Sequence, residues 1–333
     1  MKFGVLQFFS WPERRVDLNT VYERALDRVK IMDTSGYDAV WLAEHHFSTY
    51  SVCPSVHLMA MHIAHITEHI RIGMAVSLAA FYHPLRLAEE VALLDVLSGG
   101  RVNWGAGRGF DKREFGVFGV PPDESYPRFR ECVEIVLAAW SNDKLNYQGK
   151  FWNFEDIEVL PKPQQDPLPY WIASSSPDAI EWSASQGHPI LMDPHAPHES
   201  IAGKYQAYRA GLAEHGHADV AEKDTPIARL VAIAATDAEA EAVARNGAQW
   251  TVGSYANKKT SANVKRMNYG EAEEPVDRVQ QYVDQVIIHG SPAKVIDELQ
   301  RLEEEVPLNY LMAAPLSHES FVRLTDEVIP KIG

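Results

Sequence analysis

Short apolar runs and longer segments of helical spacing alternate along nearly the whole chain. That alternation limits the fold more than any single motif. Runs without helical period stand at residues 2–8, 39–42, 70–78, 101–107, 169–173, 189–192, 227–234 and 308–313. Each reads as a short strand buried on both faces. Helical spacing fills residues 19–36, 54–67, 84–97, 125–140, 177–186, 198–215, 237–250, 292–305 and 318–329. In the first of these the apolar positions are Val21, Ala25, Val29 and Met32, and Gly36 is a plausible stop. Pro84 suits a first helical turn. The early strand–helix pairs recur every 30 to 35 residues or so, roughly the size of a βα unit in a parallel sheet. Eight units with no composition shift midway predict one (β/α)8 TIM barrel over residues 1–333 rather than an open doubly wound sheet. Two stretches break the rhythm. Residues 143–162, with Tyr147, Phe151, Trp152 and Phe154 around Gly149, predict a hairpin insertion. Residues 253–280, rich in charge, glycine and asparagine, predict a functional lid loop.

The formal net charge of −15 argues against nucleic acid and against an anionic membrane surface, both of which demand a basic face. Two cysteines, Cys53 and Cys132, make neither a disulfide framework nor a metal spacing, which suits a reducing compartment. The opening residues carry too short an apolar run for a signal peptide, and no window approaches a membrane span. A cytoplasmic protein is expected.

Three motifs stand at predicted strand ends, where parallel α/β folds place their sites. Glu44-His45-His46 follows the strand at 39–42. A histidine there is a suitable general acid or base. The same three residues could ligate a metal or serve a barrel hydrolase, but adjacent strand residues face opposite ways, so only one imidazole could point into a site. Structural histidines are the plain alternative. Gly105-Ala106-Gly107-Arg108-Gly109 ends the fourth strand. Its glycines admit close approach and its arginine can grip a phosphate or carboxylate, or else it is a tight turn with a surface charge. Ala173-Ser174-Ser175-Ser176-Pro177 combines an N-cap pair with free N–H groups and hydroxyls, a ready phosphate site. Arg128 reads as a second phosphate ligand or a solvated charge. Trp250 reads as a stacking wall or a core residue, and His83-Pro84 as a ligand contact or a helix start.

These residues, taken together, resemble the luciferase-like flavin monooxygenases, and in particular the luciferase alpha-type subunit. The likeness runs through Met1-Lys2-Phe3-Gly4, Gly36-Tyr37-Asp38-Ala39-Val40-Trp41-Leu42-Ala43-Glu44-His45-His46-Phe47, His83-Pro84, Glu89 and Leu93-Leu94-Asp95. It continues in Ser98-Gly99-Gly100-Arg101, Arg108-Gly109, Asp111-Lys112 and Val117-Phe118-Gly119, then in Glu181-Trp182, Glu214-His215-Gly216 and Trp250. The resemblance implies a TIM barrel that binds reduced FMN supplied by a separate flavin reductase, uses O2, and pairs as a homodimer. It places His45 as the catalytic histidine beside Glu44, with His46 less involved. It assigns Arg108 and Arg128 to the flavin phosphate, with Ser176 and the Ser175 amide as its cradle after Ala173 and Ser174. It sets a non-prolyl cis peptide at Ala75–Val76, an aromatic wall at Trp250, and the lid at residues 253–280.

The chain departs from the luciferase pattern at Gly107, where luciferase has a reactive cysteine, at Phe110 in place of tyrosine, and at Ser175 in place of an acid. Light emission is therefore not expected. The abundance of Trp, Phe and Met points to an apolar substrate, aldehyde-like or otherwise hydrophobic. A deazaflavin-dependent oxidoreductase of the same superfamily and a flavin-binding barrel without turnover are the competing expectations.

Overall fold

The computed structural model describes residues 1–255, 277–306 and 308–332. The chain divides into two compact units, one of Met1–Gln7, Ser35–Asp38 and Ile172–Gly333, the other of Phe8–Thr34 and Ala39–Trp171.

Strand β1 (Lys2–Gln7) opens the first unit. The second unit then builds α1 (Leu18–Thr34), β2 (Ala39–Leu42), α2 (Val56–Ile66), β3 (Arg71–Met74), β4 (Ser77–Leu78), α3 (Pro84–Leu97) and β5 (Val102–Gly107). β2 pairs parallel with β3, and β5 pairs parallel with both β3 and β4. Every side chain of β2 is buried, as expected of a strand covered on both faces. The Trp41 ring lies so close over β3 that a Cβ on Gly73 would stand 2.2 Å from it. Only glycine fits there, and that fixes how β2 sits against β3. The run expected as one strand at 70–78 is two, and the Ala75–Val76 peptide at their junction is cis. Helix α4 (Lys112–Phe118), capped by Asp111, occupies a stretch where no helix is expected, because seven residues are too few to show a period. α5 (Ser125–Ser141) follows, then an antiparallel hairpin of β6 (Leu145–Gln148) and β7 (Asn153–Ile157), inside the expected insertion.

In the first unit β8 (Tyr170–Ala173) pairs parallel with β9 (Ile190–Leu191) from residue 172 onward, with α6 (Pro177–Ser185) between them and α7 (His198–Glu214) after. β10 (Pro226–Ile233) is buried throughout and includes one charge, Arg229. Its guanidinium donates to the carbonyls of Ala196 at 2.8 Å and Val286 at 2.7 Å, which makes burial tolerable. α8 (Asp237–Tyr255) runs five residues past the expected helix end, so Trp250 lies inside a helix rather than at the mouth of a loop. Next come α9 (Arg278–Gln285), β11 (Ile288–Gly290), α10 (Pro292–Glu305), β12 (Tyr310–Pro315) and α11 (His318–Arg323). β12 pairs parallel with β1 and β10, and β11 pairs with the end of β10. Of the expected lid at 253–280, the first residues end α8 and the last begin α9; the part at 256–276 lies outside the described residues. α9 and β11 are additions to the expected element list. α9 buries only Tyr282 and Val283, and a three-residue strand has no measurable alternation. Among the described residues no helix is long and apolar enough to cross a membrane.

Candidate active site

The chain leaves β2 through Ala43 and delivers Glu44, His45 and His46 in succession. Glu44 is 3% exposed. Its carboxylate receives the Leu78 N–H and the Tyr82 hydroxyl, each at 3.1 Å, and lies 3.0 Å from His46 Nε2. A carboxylate can only accept, so the His46 ring carries its proton on Nε2. Burial, then Glu44, pushes the Tyr82 hydroxyl pKa upward, and the same two causes push the Cys53 thiol up to about 12. Both groups stay protonated at neutral pH.

His45 points elsewhere, as alternation along an extended chain requires. Its ring lies edge-on to Tyr50 at 5.1 Å and to Phe110 at 6.1 Å, and stacks over Phe8 at 6.4 Å. Its Nδ1 is 3.9 Å from Glu114 Oε1. That oxygen also accepts the His46 backbone N–H at 2.9 Å. Glu114, on α4, is buried, and burial pushes its carboxyl up to about 7. The His46 N–H and ring hold it down, while Asp111 and Glu44 add to the rise. The two adjacent imidazoles thus face two different carboxyl groups. An imidazole among three aromatic rings, with a near-neutral acid beside it, can take and return a proton at neutral pH.

Gly107 ends β5 opposite Leu78 of β4. Arg108, next in the chain, donates from Nη1 to Ser125 Oγ at 3.0 Å, and its guanidinium lies 4.1 Å over the Tyr126 ring. Burial pulls its pKa down and Tyr126 opposes the fall. An arginine stacked and tethered in this way presents its remaining donors in a fixed direction, which suits a forked grip on an anion. Arg128 pairs with Glu124 at 2.7 Å and lies 4.3 Å over the Phe151 ring, tying α5 to the hairpin.

The serine turn belongs to the first unit. Ser174 shares a hydrogen bond with Ser183 at 2.8 Å. Ser175 donates to Asp193 at 2.8 Å, and Ser176 accepts the Ala179 N–H at 3.3 Å as the N-cap of α6. Ser175 spends its proton on Asp193, whereas Ser176 acts as an acceptor in its cap bond, a bond that does not use its own O–H. Ala173, the last residue of β8, pairs with Leu191. The Trp250 indole N–H is buried and has no hydrogen-bond partner among the described residues.

The second unit therefore brings together Glu44, His45, Ala75, Val76, Gly107 and Arg108. Ala173 to Ser176 and Trp250 lie in the first unit. Glu114, Tyr82, Ser125 and Tyr126 join the site without having been singled out. A glutamate among Phe115, Val117 and Phe118 was the available signal for the first of these. Among the described residues no group of three or more His, Cys, Asp or Glu is placed to hold a metal ion.

A sequence profile described as luciferase-like monooxygenase matches residues 1–307. The chain belongs to this family. It is 37% identical over 175 residues to an uncharacterised protein, y4wF, of Sinorhizobium fredii, covering 51% of each. It is 30% identical over 200 residues to the oxygenase component of a flavin-dependent trigonelline monooxygenase of Acinetobacter baylyi, covering 58% of this chain and 54% of that one. The chain spans about half the length of these curated relatives. The crystal structure of monooxygenase RslO1 from Streptomyces bottropensis superposes with a TM-score of 0.84 at 23% identity, covering 100% of both chains, so the two share a fold.

Proposed function

We propose that this protein is the oxygenase of a two-component FMN-dependent monooxygenase, taking reduced FMN from a separate flavin reductase and oxidising an apolar organic substrate with O2. The observation that carries the reading is the pair of features that follow β2 and β5, the strands on either side of β3 in one unit: His45 among Phe8, Tyr50 and Phe110, and Arg108 held on Tyr126 and Ser125. Family membership and the designation of the Acinetobacter relative as an oxygenase component support it. A (β/α)8 barrel as one domain is the fold this function would occupy.

The residues fit a flavin mononucleotide. Arg108 offers an oriented cation to a phosphate, and the break between β3 and β4 brings backbone to the end of β5. When bound, reduced FMN supplies the electrons that activate O2. Arg108 binds the phosphate and so sets the register of the cofactor. The aromatic residues around His45 exclude water. His45 moves a proton at its imidazole, and Glu44, braced by Leu78, Tyr82 and His46, holds the backbone that presents it. Exposed Leu58 on α2 and Leu93, Val96 and Leu97 on α3 supply an apolar face for a homodimer. The cytoplasm supplies reductase and reduced flavin.

Oxygen uptake with enzymatically reduced FMN, measured against a panel of apolar substrates with the product mass recorded, tests the reading. The expected product is heavier by one oxygen atom, and His45→Ala should bind FMN yet lose at least about tenfold in turnover, a typical share for a proton-transfer group. Hydride transfer to a deazaflavin with no oxygen uptake would place the protein in the deazaflavin branch. Flavin binding with no turnover by the unaltered protein would make it a flavin carrier.

A further inference from the structure

Glu44 and Glu114 are both buried carboxyl groups within reach of the paired histidines, yet their surroundings differ. Glu44 is met by a backbone N–H, a phenol and an imidazole N–H. Glu114 is met by the His46 backbone N–H at 2.9 Å and faces His45 Nδ1 at 3.9 Å. A carboxyl with little support in a buried place gives up its charge unless a cation stands nearby. His45 is the group that can become that cation.

Building on the monooxygenase reading, we propose that Glu114, 3.9 Å from His45 Nδ1, is a positioning residue for His45 and that the two groups titrate as one coupled pair. The pair is either a neutral carboxyl beside a neutral imidazole or a carboxylate beside an imidazolium. Moving the proton from Glu114 to His45 changes no net charge in the buried cluster, so His45 can become an acid without leaving an uncompensated charge behind. The groups that bias the exchange are His46 and Glu44, from the segment after β2, and Asp111 at the start of α4. Glu44 and Asp111 disfavour a negative charge on Glu114, and His46 favours it. The raised carboxyl of Glu114, near 7, agrees with this arrangement. Motif reading misses Glu114 because it acts through His45.

The test uses the chain alone, without flavin, so that it stands or falls apart from the oxygenase assignment. Proton and carbon resonances of histidine rings and glutamate carboxyls are followed through pH in isotope-labelled protein, with His45 assigned by its loss in His45→Gln. His45 and one glutamate carboxyl should titrate together near neutrality. Glu114→Gln, which keeps an acceptor for the His46 N–H, should lower the His45 midpoint by about one pH unit or more. Glu114→Asp, which keeps the charge, should restore part of the shift. A His45 midpoint that moves by less than roughly 0.3 units in folded Glu114→Gln overturns the proposal. So does an unaltered protein in which every glutamate carboxyl titrates below about pH 5, a measurement that needs no variant. If the titrations behave as stated and reduced FMN still supports no oxygen uptake, the proton pair survives and the monooxygenase reading fails.

Discussion

A Cβ added to Gly107 would stand 2.3 Å from Val76 Cγ2. The end of β5 and the residue after the β3–β4 junction therefore share a space that holds one side chain, and in this chain Val76 has it. A cysteine at 107 could not be introduced without moving Val76, whose branched side chain has few rotamers to move into. Gly107→Cys should cost about 1 to 3 kcal/mol, the usual range for overpacking. Val76→Ala in the same chain should recover most of that loss, and the recovery is read as coupling in a double-mutant cycle of urea midpoints. Additive losses would show that the two residues do not compete for the space.

The acid–base groups predict a stability maximum set by opposing slopes. Glu114 has a folded value of about 7 against 4.5 unfolded, so between those values the folded state holds a proton that the unfolded state lacks. Its contribution is intact below pH 4.5 and is lost as pH rises through 7, at most about 3 kcal/mol in all. Burial, then Arg229, depresses His195 to about 4 from 6.5, with Asp193 opposing. There the unfolded state holds the extra proton, so that contribution is present above pH 6.5 and lost as pH falls towards 4. Glu114→Gln should be more stable than the unaltered protein at pH 8 and nearly equal to it at pH 4.5. His195→Gln should flatten the acid limb. Urea midpoints across pH decide both; identical profiles for all three proteins would reject the assignment.

How far the fold was legible depends on element length. Ala39–Leu42 reads correctly because four apolar residues without period, followed by an acid and two histidines, leave few other structures. Gly36 behaves as expected, with φ +79, and Ser176 caps α6. α4 and β11 escape because seven and three residues cannot display periodicity. Arg229 escapes because its burial depends on the carbonyls of Ala196 and Val286, which are distant in sequence. The position of the cis peptide came from family likeness; nothing in the side chains of Ala75 and Val76 announces it. The Ser175–Asp193 bond and the facing of Glu114 to His45 are pairings between separate elements, which one sequence read alone cannot supply.

If Arg108 binds the FMN phosphate, its support should matter selectively. Tyr126 stacks beneath the guanidinium at 4.1 Å and Ser125 holds Nη1 at 3.0 Å. Tyr126→Ala should leave the charge and release its direction. FMN affinity should fall by about tenfold, in line with one stacked cation lost at a partly buried site, while riboflavin, which has no phosphate, should bind as before. Fluorescence quenching of the two flavins gives both constants. Equal losses for both would place Arg108 away from the phosphate.

The hairpin makes the last prediction, because one carboxylate organises it. Glu131 on α5 is 7% exposed and accepts the N–H groups of Lys150 at 3.1 Å, Phe151 at 3.0 Å and Trp152 at 2.8 Å. Three successive N–H groups converge on one anion only when the backbone turns sharply, and Gly149 permits the turn: a Cβ there would stand 2.1 Å from Glu131 Oε1. The same turn sets Trp152 edge-on to His83, with centroids 4.4 Å apart, next to the start of α3. Glu131→Ala strands three donors at once. It should cost about 2 to 4 kcal/mol, as expected for hydrogen bonds to a charged group. Gly149→Ala should cost a similar amount by pushing the carboxylate away, and the double variant should cost little more than either alone, because both remove one arrangement. Limited proteolysis should then cut first around residues 149–152 in each variant, while α5 itself stays protected. Cleavage that begins elsewhere, or losses that simply add, would mean that the hairpin is held by its apolar contacts and that Glu131 is incidental to it.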